Sequence, residues 1–143
     1  MRYLSSILIG FIVFISFVSA QTPAPTNADR AQLPGKYSGR AQEQGGGPRW
    51  SDLEISLGKV AEDGRFTGTV QAFRAGPACG RRLPLSGELL PDGSVRMEVK
   101  QGSDVIAGCE RTYDLKLIPG GRLTGTSIFG GNRFDIELKC VGD

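Results

Sequence analysis

Three cysteines and a group of arginines close to turns are the residues of this chain that could do chemistry, and histidine is missing altogether. Without imidazole there is no Ser-His-Asp or Cys-His arrangement, no His-containing zinc site and no ordinary general base near neutral pH. Cys79, Cys109 and Cys140 are widely separated and do not close a metal site by themselves, so neither a metal nor a cofactor is expected. Asp and Glu are scattered and mostly flank turns, which gives no catalytic constellation and argues against an enzyme. What remains is binding chemistry. Arg49, Arg74, Arg81, Arg82, Arg111 and Arg133 are spread through the last two-thirds of the chain, and a guanidinium fork takes carboxylates bidentately.

The elements that must position these residues are strands. Apolar and polar residues alternate over eight segments: Lys36–Gln42, Trp50–Leu57, Arg65–Phe73, Arg82–Leu90, Ser94–Gln101, Cys109–Ile118, Arg122–Phe129 and Asn132–Cys140. Leu53, Ile55 and Leu57 share one face while Asp52, Glu54 and Ser56 share the other; Phe134, Ile136 and Leu138 likewise oppose Arg133, Asp135 and Glu137. Asp63-Gly64, Asp92-Gly93 and Gly120-Gly121 supply tight-turn chemistry between them. One dry and one wet face on sequential antiparallel strands predicts an all-β, eight-stranded antiparallel up-and-down barrel. A two-sheet β-sandwich is the alternative, because alternation does not report closure. An outer-membrane barrel would need an apolar outer face with aromatic girdles, and the charged faces here contradict that.

A short motif recurs through these strands: a bulky apolar residue, Ser or Thr, then Gly. It stands at Tyr37-Ser38-Gly39, Phe66-Thr67-Gly68, Leu85-Ser86-Gly87 and Leu123-Thr124-Gly125. Glycine inside a strand marks a bend or a close backbone approach, so the motif predicts a sheet that coils sharply. In architecture the chain resembles the small secreted barrels of the avidin and lipocalin type. It is more similar to a set of uncharacterised exported bacterial proteins whose domain begins with a Gly-x-aromatic-Ser-Gly strand, matched by Gly35-Lys36-Tyr37-Ser38-Gly39, and continues with strands entered from Asp-Gly or Gly-Gly turns, as at Asp63-Gly64-Arg65-Phe66-Thr67-Gly68. That resemblance implies the barrel and export, and no particular activity. Biotin pockets are walled by several tryptophans, and Trp50 is the only one here.

In an eight-strand meander the connections after strands 1, 3, 5 and 7 share one end, the mouth. Cys79 and Cys109 both fall there, which favours a Cys79–Cys109 disulfide, since bridged Cα atoms must lie within about 7 Å. Cys140 falls at the opposite end with core-facing parity, and is expected as a free thiol that is buried or links two chains. Inward parity carried to the rim turns Arg74, Arg81 and Arg111 toward the barrel axis beside Ser51, Gln101, Ser127 and Asn132, over an apolar floor of Tyr113, Val70, Val99 and Leu115. Trp50 has outward parity but could fold over the mouth. The candidate ligand-binding residues are therefore Trp50, Arg74, Arg81, Arg111, Tyr113 and Asn132, although an eight-strand barrel can also be filled by its own side chains.

The N-terminus reads as a secretory signal peptide over residues 1–20: Arg2, an apolar stretch from Leu4 to Val18, then Val18-Ser19-Ala20 before Gln21. Residues 21–34 (QTPAPTNADRAQLP) read as a disordered linker, and 35–143 as the barrel domain. The mature chain is close to neutral, which points away from nucleic acid and from a membrane after signal cleavage. The expected function is a periplasmic or secreted binding protein for a small anionic or amphipathic molecule. The alternative is a protein-interaction module, such as an inhibitor of a secreted hydrolase or an envelope-stress factor, presenting the Gly45–Gly47 and Gly130–Gly131 loops to another secreted protein.

Overall fold

The structure, a computed structural model, describes residues 27–142. Eight antiparallel strands follow one another around a closed barrel: β1 (Gly35–Glu43), β2 (Trp50–Leu57), β3 (Arg65–Ala72), β4 (Leu83–Leu89), β5 (Ser94–Val99), β6 (Arg111–Ile118), β7 (Arg122–Phe129) and β8 (Asn132–Gly142). Closure is made by β8 on β1, from Glu43 opposite Phe134 to Lys36 opposite Gly142, and this excludes the two-sheet sandwich. The expected bounds of β2 and β7 hold residue for residue, and the other strands differ at their ends by two residues or fewer. Among the described residues no helix is long and apolar enough to cross a membrane. The expected signal peptide lies outside the described residues.

The recurring glycines are where neighbouring strands come too close for a side chain. A Cβ on Gly39 would fall on the Glu137 carbonyl of β8, and one on Gly125 would fall on the Asp114 carbonyl of β6. The Phe66 ring lies across Gly87 and fills the space its missing side chain leaves. Coiling concentrated at such points lets a short-stranded sheet bend round to its own first strand.

Inside, the barrel is graded from one end to the other. At the base the inward positions are bulky: Tyr37, Leu57, Phe66, Leu89, Leu123 and Leu138 are all buried. Toward the mouth they shrink on part of the circumference, to Ala41, Ser51, Ala72 and Ser127. On β4 and β5 they stay large, with Leu83 and Val99, and Val105 from the β5–β6 loop packs over them. An interior that bulky residues would fill is therefore left open on one side only.

The base is sealed by residues that composition assigns to the linker. Asn27–Gln32 form a short helix, α1, and Leu33 after it is completely buried. The Tyr37 hydroxyl inside the barrel donates to the Leu33 carbonyl at 2.9 Å, and Arg30 reaches the Glu62 carbonyl in the β2–β3 turn at 3.0 Å. Six residues with one strongly apolar neighbour give no periodicity to read, and tertiary packing rather than propensity holds so short a helix. Burial pushes the Tyr37 phenol up to about 12, with Cys140 nearby acting in the same direction.

Cys140 corrects the expectation of a buried thiol. It stands opposite Tyr37 with inward parity, but it is exposed. The β1–β8 register shifts between Lys36 and Tyr37, right beside Cys140, so regular alternation no longer decides where its side chain points.

Candidate functional site

The mouth holds a cavity of about 370 Å³, at the small end for ligand sites. Its walls come from β1, β2, β3, β6, β7 and β8, with nothing from β4 or β5. The opening is thus off the barrel axis, above the side where the inward residues are small. The floor is made by Leu53, Tyr113 and Ile136, with Ala41 and Ala72 beside them. Val70, Val99 and Leu115, expected to form it, are packed into the closed core instead. Parity gives the direction in which a side chain points; it does not give the axis along which the free space runs.

Arg111 dominates the chemistry of this cavity. It begins β6 with inward parity and is only 4% exposed. Its Nη2 donates to the Cys79 carbonyl at 2.8 Å and its Nε to the Cys109 carbonyl at 3.4 Å, and its guanidinium lies 4.8 Å from the centre of the Phe129 ring. Those two carbonyls belong to the cysteines of a disulfide. Cys79 ends a four-residue helical turn, α2 (Gly76–Cys79), in the β3–β4 connection, and its Cα is 5.1 Å from that of Cys109. The bridge ties that connection to the residues entering β6 and holds both acceptors in place around the guanidinium.

No carboxylate offsets this charge. Among the described residues none lies within 4 Å of Arg111, and no Asp or Glu lines the cavity. A buried cation without a counter-charge costs on the order of several kcal/mol, and partial neutralisation by carbonyl dipoles does not remove that cost. Tyr113, two residues on, is fully buried; burial raises its pKa, and the neighbouring Arg111 partly offsets the rise. Directly across the β6–β7 pair stand Ser127 opposite Tyr113 and Phe129 opposite Arg111. Ser127 is buried, and its hydroxyl has no hydrogen-bond partner among the described residues. The inner face of β6 and β7 therefore presents a cation, a phenol, a free hydroxyl and an aromatic ring side by side.

The rim carries Trp50, Arg49 and Arg74. Trp50 keeps its outward strand parity, yet its indole borders the opening. The Arg74 guanidinium sits over the ring at 3.6 Å and that of Arg40 at 4.4 Å. Each such contact is worth about 0.5–1 kcal/mol at an exposed site. The Arg74 backbone N–H donates to the Ser51 hydroxyl at 3.0 Å, which fixes the start of the β3–β4 connection. Asn132 also borders the cavity, its amide near the Gly130 carbonyl at 3.5 Å.

Five of the six expected ligand-binding residues thus gather round one cavity: Trp50, Arg74, Arg111, Tyr113 and Asn132. Arg81 stands apart. Its Nη2 donates to the Asp104 carbonyl at 2.6 Å, bridging two mouth connections on the outside. The expected ligand-binding set left out Phe129, Phe134 and Arg49, which also line the cavity. Both phenylalanines carry the inward parity of their strands, so that signal was present, whereas Arg49 precedes β2 and has no parity to extend. Among the described residues no group of three His, Cys, Asp or Glu side chains could hold a metal. No protein-family model matches this chain, and no curated protein matches it.

Proposed function

We propose that this protein is a periplasmic or secreted, non-enzymatic binding protein that holds one small amphipathic anion in the mouth cavity. One observation carries the reading: Arg111 is 4% exposed, borders the cavity, and has no carboxylate partner among the described residues. An anion in that space supplies the missing counter-charge, and the apolar floor of Leu53, Tyr113 and Ile136 takes the rest of the molecule. The Cys79–Cys109 disulfide is compatible with an oxidising, extracytoplasmic compartment.

The test is native mass spectrometry on the mature protein gently released from its own exporting host, beside an Arg111→Met variant. The expected result is a single added small mass on the wild type, acidic when isolated, and its absence from the variant. A wild type that leaves bare, together with identical anion binding by both proteins in solution, would overturn the proposal.

A second reading, an interaction module, rests on Phe73 and Ile106. Each is 51% exposed, and they lie on the two mouth connections that the disulfide joins. Loops on a rigid scaffold commonly carry recognition. A co-purifying polypeptide lost on Phe73→Ser and retained on Arg111→Met would favour it.

A further inference from the structure

Resting on the anion-binding reading, we infer that the occupant is a planar aromatic monocarboxylate, its carboxylate on Arg111 and Ser127 and its ring among Tyr113, Phe129 and Phe134, below the Trp50 rim.

The charge is the first argument. Among the described residues only Arg111 is a buried cation at the cavity; Arg49 and Arg74 are exposed at the rim, and Arg74 is already stacked on Trp50. Water and salt screen the rim charges, so the interior offers one fixed positive charge. A monoanion is matched by it, whereas a dianion such as a phosphate monoester would carry one negative charge into the cavity without a partner. Arg111 has spent two donors on backbone carbonyls, and Ser127 beside it has a hydroxyl to give. Together they can donate to both oxygens of a carboxylate.

The shape of the space is the second argument. An extended alkyl chain needs depth, and depth is absent: below Tyr113 the barrel is filled by Ile55, Val70, Leu115 and Leu123, and Leu33 with Tyr37 closes the base. What the cavity has instead is breadth bounded by four aromatic side chains, with small residues at Ala41, Ala72 and Ala75 leaving room between walls. Aromatic pairs are favourable beyond the area they bury, and a rigid ring loses little conformational freedom on binding.

The experiment is isothermal titration of the mature protein with naphthoate, decanoate, naphthyl phosphate and naphthylmethanol, repeated on Arg111→Met and Ser127→Ala. Naphthoate should bind tightest with a stoichiometry of one, by about tenfold or more over each of the others. Arg111→Met should remove that preference over naphthylmethanol, and Ser127→Ala should weaken naphthoate several-fold with little effect on naphthylmethanol. Decanoate or naphthyl phosphate binding as tightly as naphthoate, with the affinity still lost in Arg111→Met, would overturn this inference and leave the anion-binding reading standing. No binding of any anion, or binding indifferent to Arg111, would overturn both.

Discussion

The Arg111 guanidinium is held by the carbonyl of Cys79, 32 residues earlier in the chain, at 2.8 Å. The disulfide from Cys79 to Cys109 is what keeps that carbonyl in range. A bond that looks purely structural is therefore also the support of the cavity's one buried cation.

Removing the bridge should accordingly do two things. With a sequence separation of 30, the Cys79→Ser/Cys109→Ser variant should lose about 3–4 kcal/mol of stability in urea unfolding. Under conditions where it is still folded, its affinity for an anion bound at Arg111 should fall by at least tenfold, about 1.4 kcal/mol, because the guanidinium is no longer oriented. Titration calorimetry on the folded variant checks the second effect separately from the first.

Filling the cavity should separate stability from binding. Ala72→Leu places extra apolar volume among Leu53, Tyr113 and Ile136, where space exists. The expected outcome is a gain of about 1 kcal/mol in unfolding free energy together with loss of ligand binding. A loss of stability would mean that the space is already committed to packing.

The strand glycines make a sharper contrast. Gly39→Ala puts a Cβ onto the Glu137 carbonyl and should cost about 3 kcal/mol or more, or prevent closure of β8 on β1. Gly102→Ala meets nothing within 4 Å and should stay within about 0.5 kcal/mol of wild type. Equilibrium unfolding of both variants is the measurement.

Alkaline pH should test the seal at the base. Tyr37 ionises near pH 10 when unfolded and only at about 12 in the fold, so between those values the unfolded chain has released a proton that the native state retains. Stability is therefore full below pH 10 and falls as the pH rises toward 12. Buried Tyr113 is shifted in the same direction and adds to the slope. Tyr37→Phe should cost about 1 kcal/mol at pH 7, since it deletes the hydrogen bond to the Leu33 carbonyl. It should also flatten the alkaline decline. Both comparisons belong in a Cys140→Ser background, because an exposed free thiol can exchange with the disulfide of another molecule.

Much of the barrel was legible because its strands obey period two over nearly all of their length. The β2 and β7 bounds, the inward aim of Arg111 and Ser127, and the meeting of Cys79 with Cys109 at one end all follow from counting parity through an up-and-down meander. What escaped is whatever depends on the third dimension of that meander. The cavity is off-axis because Ser127 comes round to Ala41, Ser51 and Ala72 only after the sheet closes, and no linear reading sets them beside Leu83 and Val99 on the filled side. Leu33 reads as one apolar residue in a polar stretch until Tyr37 is seen inside the barrel beneath it. Cys140 shows the limit of parity itself, which assigns a direction even where the register between strands shifts.

The sealed base also gives the molecule a front and a back. Helix α1 enters at that pole through Arg30 and Leu33, and β8 ends there beside Lys36, so both ends of the described chain emerge opposite the cavity. A tether, fusion partner or solid support attached at either end leaves the opening facing outward. For the occupant proposed above, the described residues leave one route, in and out through the rim of Trp50, Arg49 and Arg74, so its residence time should be set at that doorway rather than by any passage through the barrel.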